Sequence, residues 1–287
     1  VQTIQAWKVE TAALLKTAGL GSTCDLDARL LLQKATGLDQ AKQILLYDRK
    51  LSDSQLEELA SIRDERLQHK PMAYILESKE FFGRDFFVDE RVLIPRPDTE
   101  TLIEAVIGYS RKRYRAPSII DVCTGSGCIG ITLALELDAE ITLCDISEGA
   151  LAVARENAKR LLTKPVTIPI LQGNLLSPTD ANYDIIVSNP PYLTTSWCDE
   201  VSQEVRWEPR LALEGFHEDG LALIRTLVDE SVNHLAAGGA LFLECDYRQA
   251  EDVAALLASR RFSDVRIERD LSGRDRVVWG VLACTNS

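Results

Sequence analysis

The sequence predicts an α/β fold: a mostly parallel sheet covered by helices on both faces, preceded by a small helical bundle. Three observations predict it. From residue 119 onward, short apolar runs alternate with stretches of helical period, the signature of strand–helix–strand units. Residues 3–70 carry helical spacing throughout. Between them, residues 79–92 are aromatic and centred on Gly83, the texture of a hairpin. The 287 residues suffice for a large and a small domain. The expected division is 1–78 helical, 79–93 a β-hairpin linker, and 94–287 the sheet domain.

In the helical part, Leu26, Leu30, Leu31 and Ala35 recur at helical spacing, and Gly37 stands where a C′ glycine ends a helix. Ser52-Asp53-Ser54-Gln55 has the form of a capping box. Leu56, Leu59, Ala60, Arg63 and Leu67 line the turns that follow, with His69 and Lys70 expected in the last turn before Pro71. These stripes read as core. The four phenylalanines at 81, 82, 86 and 87 read as a staple between domains, or as one aromatic overhanging a pocket.

Ile94-Pro95-Arg96-Pro97-Asp98-Thr99-Glu100 is rigid and charged. Asp98 is expected to N-cap a helix running to about Tyr114. Arg96 and Glu100 form either a local ion pair or part of a site, since two prolines fix where the arginine points. Strands follow at 119–122, 140–145 and about 166–171, with helices from about 127 to 137 and 148 to 161. Then come a strand over 183–188, a helix near 221–235, a strand over 240–244, a helix near 249–259, and two strands near 265–268 and 277–282.

Bulk properties exclude several functions. A net charge of −12 argues against affinity built on phosphate neutralisation. Seven cysteines without a Cys-x-x-Cys, and three histidines without metal spacing, fit reduced thiols in a cytoplasmic protein and no metal. No apolar run approaches the roughly 18 residues of a membrane span, and the N-terminus lacks a signal-peptide pattern.

Chemistry concentrates at Asn189-Pro190-Pro191-Tyr192, which closes the 183–188 strand. Neither proline can donate a backbone N–H, so the turn offers mainly acceptors, beside the flat wall of Tyr192. Such a site suits a planar group bearing –NH2, an amide or the exocyclic amine of a base. Upstream, Asp121-Val122-Cys123-Thr124-Gly125-Ser126-Gly127 links a strand to a helix with glycines that allow close approach to a ligand. Asp145, about 20 residues on at the end of the next strand, is placed to bind ribose hydroxyls. No P-loop lysine or dinucleotide glycine pattern is present, which favours a nucleoside without phosphates, such as S-adenosylmethionine. Asn174 sits where an adenine edge could be met, or is an ordinary turn residue.

These residues resemble the class I S-adenosylmethionine-dependent methyltransferases that act on planar amino groups. The likeness is closer still to the PrmC/HemK family, the glutamine methyltransferases of peptide chain release factors. The helical N-terminal part, Glu80-Phe81-Phe82-Gly83, residues 94–100 and Val205-Arg206-Trp207-Glu208-Pro209-Arg210-Leu211-Ala212-Leu213 all occur in that family's order. The resemblance implies a Rossmann-like domain with a seven-stranded sheet and a helical domain for substrate recognition. It implies that Cys123, Thr124, Gly125, Ser126, Gly127, Asp145, Ile146, Asn174, Leu175 and Asn189 line S-adenosylmethionine, which leaves as S-adenosylhomocysteine. Asn189, Pro190, Pro191 and Tyr192, with Arg96 and Glu100, would hold the glutamine of the Gly-Gly-Gln motif of a class 1 release factor. Asn189, Pro190 and Tyr192 would be catalytic. No nucleic acid or membrane partner is expected. Three departures bear on cofactor affinity: Cys123 for glycine, Asn174 for aspartate, and Glu244-Cys245-Asp246 for Glu-x-Gly. The competing readings are an adenine-N(6) nucleic-acid methyltransferase and a non-catalytic adaptor of the same fold.

Overall fold

The computed structural model describes residues 2–162 and 168–284, in two compact units. The first comprises Val1–Ser78 with Ser202–Trp207, the second Lys79–Val201 with Glu208–Ser287.

The first unit contains α1 (Ile4–Thr17), α2 (Cys24–Thr36), α3 (Gln40–Leu45), α4 (Asp53–Leu67) and α5 (Met72–Leu76). Local chemistry sets the ends. Gly37 terminates α2 at φ 68°, a left-handed position that glycine takes without penalty. At the start of α4 the capping box closes: Gln55 N donates to Ser52 Oγ at 3.2 Å and Ser52 N to Gln55 Oε1 at 3.1 Å. Trp7, Leu31, Leu32, Leu59 and Ile62 are among the buried residues of its core.

The expected stripes hold in part: Leu31 and Leu59 are buried, Ala35 and Leu56 pack against their cluster and Leu67 against a second, but charged residues take further core positions. In α2, Leu26 is exposed while Asp27, Ala28, Leu31 and Leu32 are buried. In α4 the inward face is Leu59, Ile62 and Arg66. The physical reason is an ion pair that takes core positions: Arg66 Nε meets Asp27 Oδ2 at 2.8 Å, with both side chains nearly inaccessible. Arg66 also donates to the Lys70 carbonyl at 3.0 Å and to Glu204 Oε1 at 2.8 Å. Trp207 Nε1 adds a bond to the Gln68 carbonyl at 3.2 Å. The 202–207 segment is thereby bonded into the helical unit. His69 and Lys70 lie beyond the end of α4, with His69 at φ 63°.

The second unit begins with β1 (Lys79–Phe81) and β2 (Arg84–Phe86), an antiparallel hairpin. Its two-residue turn places Phe82 at φ 51° and Gly83 at φ 70°, the positive pair of a type I′ turn. Phe81 and Phe86 are buried and meet edge-to-face at 6.0 Å.

The rest alternates as the sequence predicts: α6 (Glu100–Arg113), β3 (Ser118–Val122), α7 (Cys128–Glu136), β4 (Glu140–Asp145), α8 (Glu148–Leu161), β5 (Ile170–Gln172) and β6 (Tyr183–Ser188). Next come α9 (Thr195–Glu200), α10 (Ala222–His234), β7 (Leu235–Glu244), α11 (Ala250–Ser259), β8 (Phe262–Arg269) and β9 (Asp275–Leu282). Of the expected strand over 166–171, residues 166 and 167 lie outside the described residues. Asp98 does not cap α6: it lies in a 3-10 turn, Pro97–Thr99, and pairs with Arg276 at 3.2 Å. The short turn ahead of the helix moves the cap position to Thr99.

The seven strands run in the order β5-β4-β3-β6-β7-β9-β8, parallel from β5 to β7, with β9 antiparallel to both β7 and β8. Alternate residues feed two cores. Ile119, Ile185, Val187, Ala240 and Phe242 join one cluster with Leu102, Ile103 and Ile131. Ile120, Ile186, Leu241 and Leu243 join the other with Ile224, Leu227 and Val253. A sheet buried on both faces follows from that alternation. Strand order reverses between β4-β5 and β6-β7 about β3, so a crevice opens at the carboxyl ends of β3, β4 and β6. Among the described residues, no helix is long and apolar enough to cross a membrane.

Candidate active site

That crevice is a cavity of about 350 Å³. Its walls include Cys123, Thr124, Gly125 and Ser126 after β3, Asp145 and Ile146 after β4, Asn174 and Leu175 after β5, and Asn189 and Pro191 after β6. Four loops distant in sequence are assembled because four parallel strands end side by side.

The first loop is braced from beneath. Asp121 is fully buried, and its Oδ2 accepts from Thr124 Oγ1 at 2.5 Å and Gly130 N at 2.9 Å. Burial pushes its carboxyl up to about 7. Thr124 N also donates to the Cys144 carbonyl at 3.0 Å. From β4, Asp145 closes the loop: Oδ2 accepts from Gly125 N and Oδ1 from Ser147 N, both at 2.9 Å. Burial raises its pKa against those bonds. Each carboxylate oxygen has a second acceptor site, so a half-buried acid remains able to accept from a vicinal diol. Gly127 does not line the cavity. It starts α7 at φ 80°, and a Cβ there would meet Ile131 Cδ1 at 2.8 Å.

Cys123 adopts φ 58°, the left-handed region in which a Cβ costs roughly 1 kcal/mol. Burial pushes its thiol well up and raises those of Cys128 and Cys144 to about 12, so these cavity thiols are neutral and poorly nucleophilic. Cys123→Gly should therefore be more stable than Cys123→Ala by about 1 kcal/mol in thermal unfolding. Equal stability of the two would show that the backbone there is relaxed.

The Asn189 turn is held on every side. Ser188 Oγ donates to the Val122 carbonyl at 2.6 Å, tying β6 to β3. Asn189 Nδ2 donates to Thr99 Oγ1 at 3.4 Å, which leaves Oδ1 as its available group. Gln249 Nε2 donates to the Tyr192 carbonyl at 2.8 Å and to the Asp219 carbonyl at 2.7 Å. Gly220, at φ 72°, sits where a Cβ would collide with the Tyr192 carbonyl. Pro190 and Tyr192 do not line the cavity itself; the Tyr192 side chain lies on the far side of the turn, near Glu244 and Arg276, where burial raises its pKa.

Arg96 lines the cavity and pairs with Glu208, whose other oxygen accepts from Ile94 N at 3.2 Å. Glu100 is not in the wall: it accepts from Phe82 N at 3.0 Å and fixes the hairpin turn. The two therefore form neither a local ion pair nor a joint site. None of the four hairpin phenylalanines lines the cavity. Sequence reading missed Thr99, Pro209, Leu211, Ala212 and Phe216, which do. Pro97 and Pro209, each two positions ahead of Thr99 and Leu211, were the available signal. Among the described residues, no group of three or more His, Cys, Asp or Glu could hold a metal.

Comparison with known proteins agrees with this geometry. Residues 7–76 match the PrmC N-terminal domain family and residues 99–207 the Methyltransferase small domain family. A release factor glutamine methyltransferase of Neisseria gonorrhoeae is 38% identical over 91% of this chain and 95% of its own. That of Leptospira interrogans is 37% identical, covering 88% and 89%, and that of Caulobacter vibrioides 37%, covering 97% and 96%. Among solved structures, a methyltransferase from Pyrococcus furiosus shares the fold, with TM-score 0.54 at 15% identity over 78% of this chain and 99% of that one.

Proposed function

The chain belongs to the release factor glutamine methyltransferase family, and from that premise we propose that it methylates the side-chain amide nitrogen of the Gly-Gly-Gln glutamine in a class 1 release factor. It is a methyltransferase of class I fold. The observation that carries the substrate reading is the orientation of Asn189. Its NH2 is engaged by Thr99, so its oxygen is the group offered to a planar –NH2.

The cavity fits S-adenosylmethionine. Asp145 would take the ribose hydroxyls, Ile146 and Leu175 would flank the adenine, Asn174 would meet its edge, and residues 123–126 would follow the methionine portion. When bound, that molecule supplies an electrophilic methyl group. An amide nitrogen is a poor nucleophile because its lone pair is delocalised into the carbonyl. Asn189 Oδ1 and the Pro190 carbonyl would accept its two N–H groups and aim the nitrogen into the cavity. The same acceptors favour the positive charge that develops on nitrogen, a preorganised electrostatic effect. The Arg96–Glu208 pair holds Arg96 in the cavity wall, and the amide proton leaves to water.

Incubation with labelled S-adenosylmethionine and either release factor or DNA tests this. Label is expected in the release factor, on glutamine. Label in DNA alone would establish the adenine-N(6) reading, which rests on the same acceptor turn. We read the helical unit as the recognition module, since Ile44, Leu45 and Tyr47 are exposed there as on protein-binding faces. Replacing all three by serine should raise KM for the release factor roughly tenfold with kcat unchanged; an unaltered KM would assign recognition elsewhere. A cytosolic setting belongs to the same reading, supported by seven unpaired cysteines; recovery only from an oxidising compartment would contradict it.

A further inference from the structure

The cavity wall holds one aromatic ring among the described residues, and it is not the one to which the sequence points. The sequence offers Tyr192 as the flat wall beside the acceptor turn, yet that residue does not line the cavity. Phe216 does. It is 46% exposed and belongs to neither core of the sheet, so core packing does not explain where it stands.

Its backbone is strained. Phe216 adopts φ 55° and His217 φ 64°, two successive left-handed residues without glycine, a conformation that a bulky side chain rarely takes. Such strain persists only where the surrounding structure over-determines it. Leu193 N donates to the Leu213 carbonyl and Gly215 N to the Leu193 carbonyl, both at 2.9 Å. The segment before Phe216 is thereby paired with the residue that follows the Asn-Pro-Pro-Tyr turn. A Cβ at Gly215 would stand 2.8 Å from the Pro191 carbonyl oxygen and 1.9 Å from that of Gly220. Only glycine lets the loop close on itself and against the turn. Past the ring, Asp219 Oδ1 accepts from Leu221 N at 3.0 Å and from Arg225 at 3.1 Å, and faces His217 Nδ1 at 3.1 Å. Gln249 then joins the Asp219 carbonyl to that of Tyr192. Loop and turn are braced as one body.

We propose that Phe216 is a substrate-contacting residue whose ring packs on the face of the amide that Asn189 Oδ1 and the Pro190 carbonyl hold by its edge. The inference rests on the amide-transfer reading and deepens it. Two acceptors fix where the N–H groups point, but hydrogen bonds bend over a broad range of angle. The amide plane can still tilt about the line joining them. Tilt matters because the nitrogen lone pair stands perpendicular to that plane, so one face has to meet the methyl donor. A flat apolar ring against the other face removes the tilt and keeps water off the nitrogen. Phe216 is carried by the loop seated on Pro191, and not by the 123–126, Asp145 or Asn174 segments assigned to the cofactor, which suits it to that second face.

The test is kcat for release-factor methylation at saturating substrates, with S-adenosylmethionine affinity by calorimetry and stability by thermal unfolding. Phe216→Leu keeps an apolar side chain without a flat face, so kcat should fall roughly tenfold. Phe216→Gly should lose at least as much yet melt no earlier than the unaltered protein, because glycine takes this backbone freely. Phe216→Tyr keeps the ring and should hold kcat within about twofold. Cofactor affinity should be unchanged in all three. Full kcat in Phe216→Leu, or a loss confined to KM, would place the ring against another part of the release factor. Earlier melting of Phe216→Gly would make it a packing residue. Either result overturns the assignment and leaves the function standing; no glutamine methylation by the unaltered protein would sink both.

Discussion

Asn189→Ala is expected to abolish transfer while S-adenosylmethionine binds almost as before. In the proposed site the side chain would supply one of two acceptors for the substrate nitrogen, and no other side-chain acceptor of the Asn-Pro-Pro-Tyr turn lines the cavity. Removing a preorganised partner of developing charge costs about 100- to 1,000-fold in kcat. Misalignment of a nitrogen held by the Pro190 carbonyl alone adds to that. On the same proposal cofactor affinity would rest instead on Asp145 and the 123–126 loop, both braced independently of Asn189. Single-turnover methylation together with calorimetry separates the two effects. Turnover within tenfold of normal would mean that the amide is not clamped there. Asn189→Asp is the informative companion: it keeps an acceptor but replaces the NH2 that donates to Thr99 with a charged oxygen, so it should recover little.

Arg66→Ala is expected to remove about 3–5 kcal/mol from the helical unit. The guanidinium is 2% exposed and meets two carboxylates and a carbonyl. Truncation leaves Asp27, 3% exposed, without its counter-charge in the core. The cost comes from the stranded acid, so the Asp27→Leu/Arg66→Met pair should restore most of the loss, as apolar replacements of buried ion pairs do. Denaturant unfolding followed by fluorescence of the buried Trp7 reads this directly. A loss below 1 kcal/mol in the single variant would show that water reaches Asp27.

The contrast between these residues explains what the sequence could disclose. Gly37 and the Ser52–Gln55 box were legible because each acts within four residues of itself. The sheet was legible because apolar runs of strand length alternate with helical periods. Asp145 was legible because parallel neighbours end together, which places its carboxylate 20 residues away under Gly125. Arg66 and Asp27 were not: a charged residue at a core position looks like a solvated one until its partner, 39 residues away, is known. Arg96 was ambiguous for the same reason, since its partner Glu208 lies 112 residues on. Thr99 stood in a segment read for its cap and its arginine, so its bond to Asn189, 90 residues on, was not legible. Periodicity does not report which buried polar groups meet.

The short segment Ser202–Trp207 carries a consequence for dissecting the protein. It divides the second unit's chain in two and is bonded into the first unit through Glu204 and Trp207. The helical unit is therefore discontinuous: it owns the N-terminal 78 residues and six more from the middle of the chain. A protease cutting once between Ser78 and Lys79 would leave Ser202–Trp207 on the other fragment, so residues 1–78 would be held only by non-covalent bonds such as Arg66–Glu204 and Trp207–Gln68. Truncation at the same point would strip Glu204 of Arg66 and leave the Trp207 indole N–H without the Gln68 carbonyl. An insertion or circular permutation that respects the units has to respect three junctions.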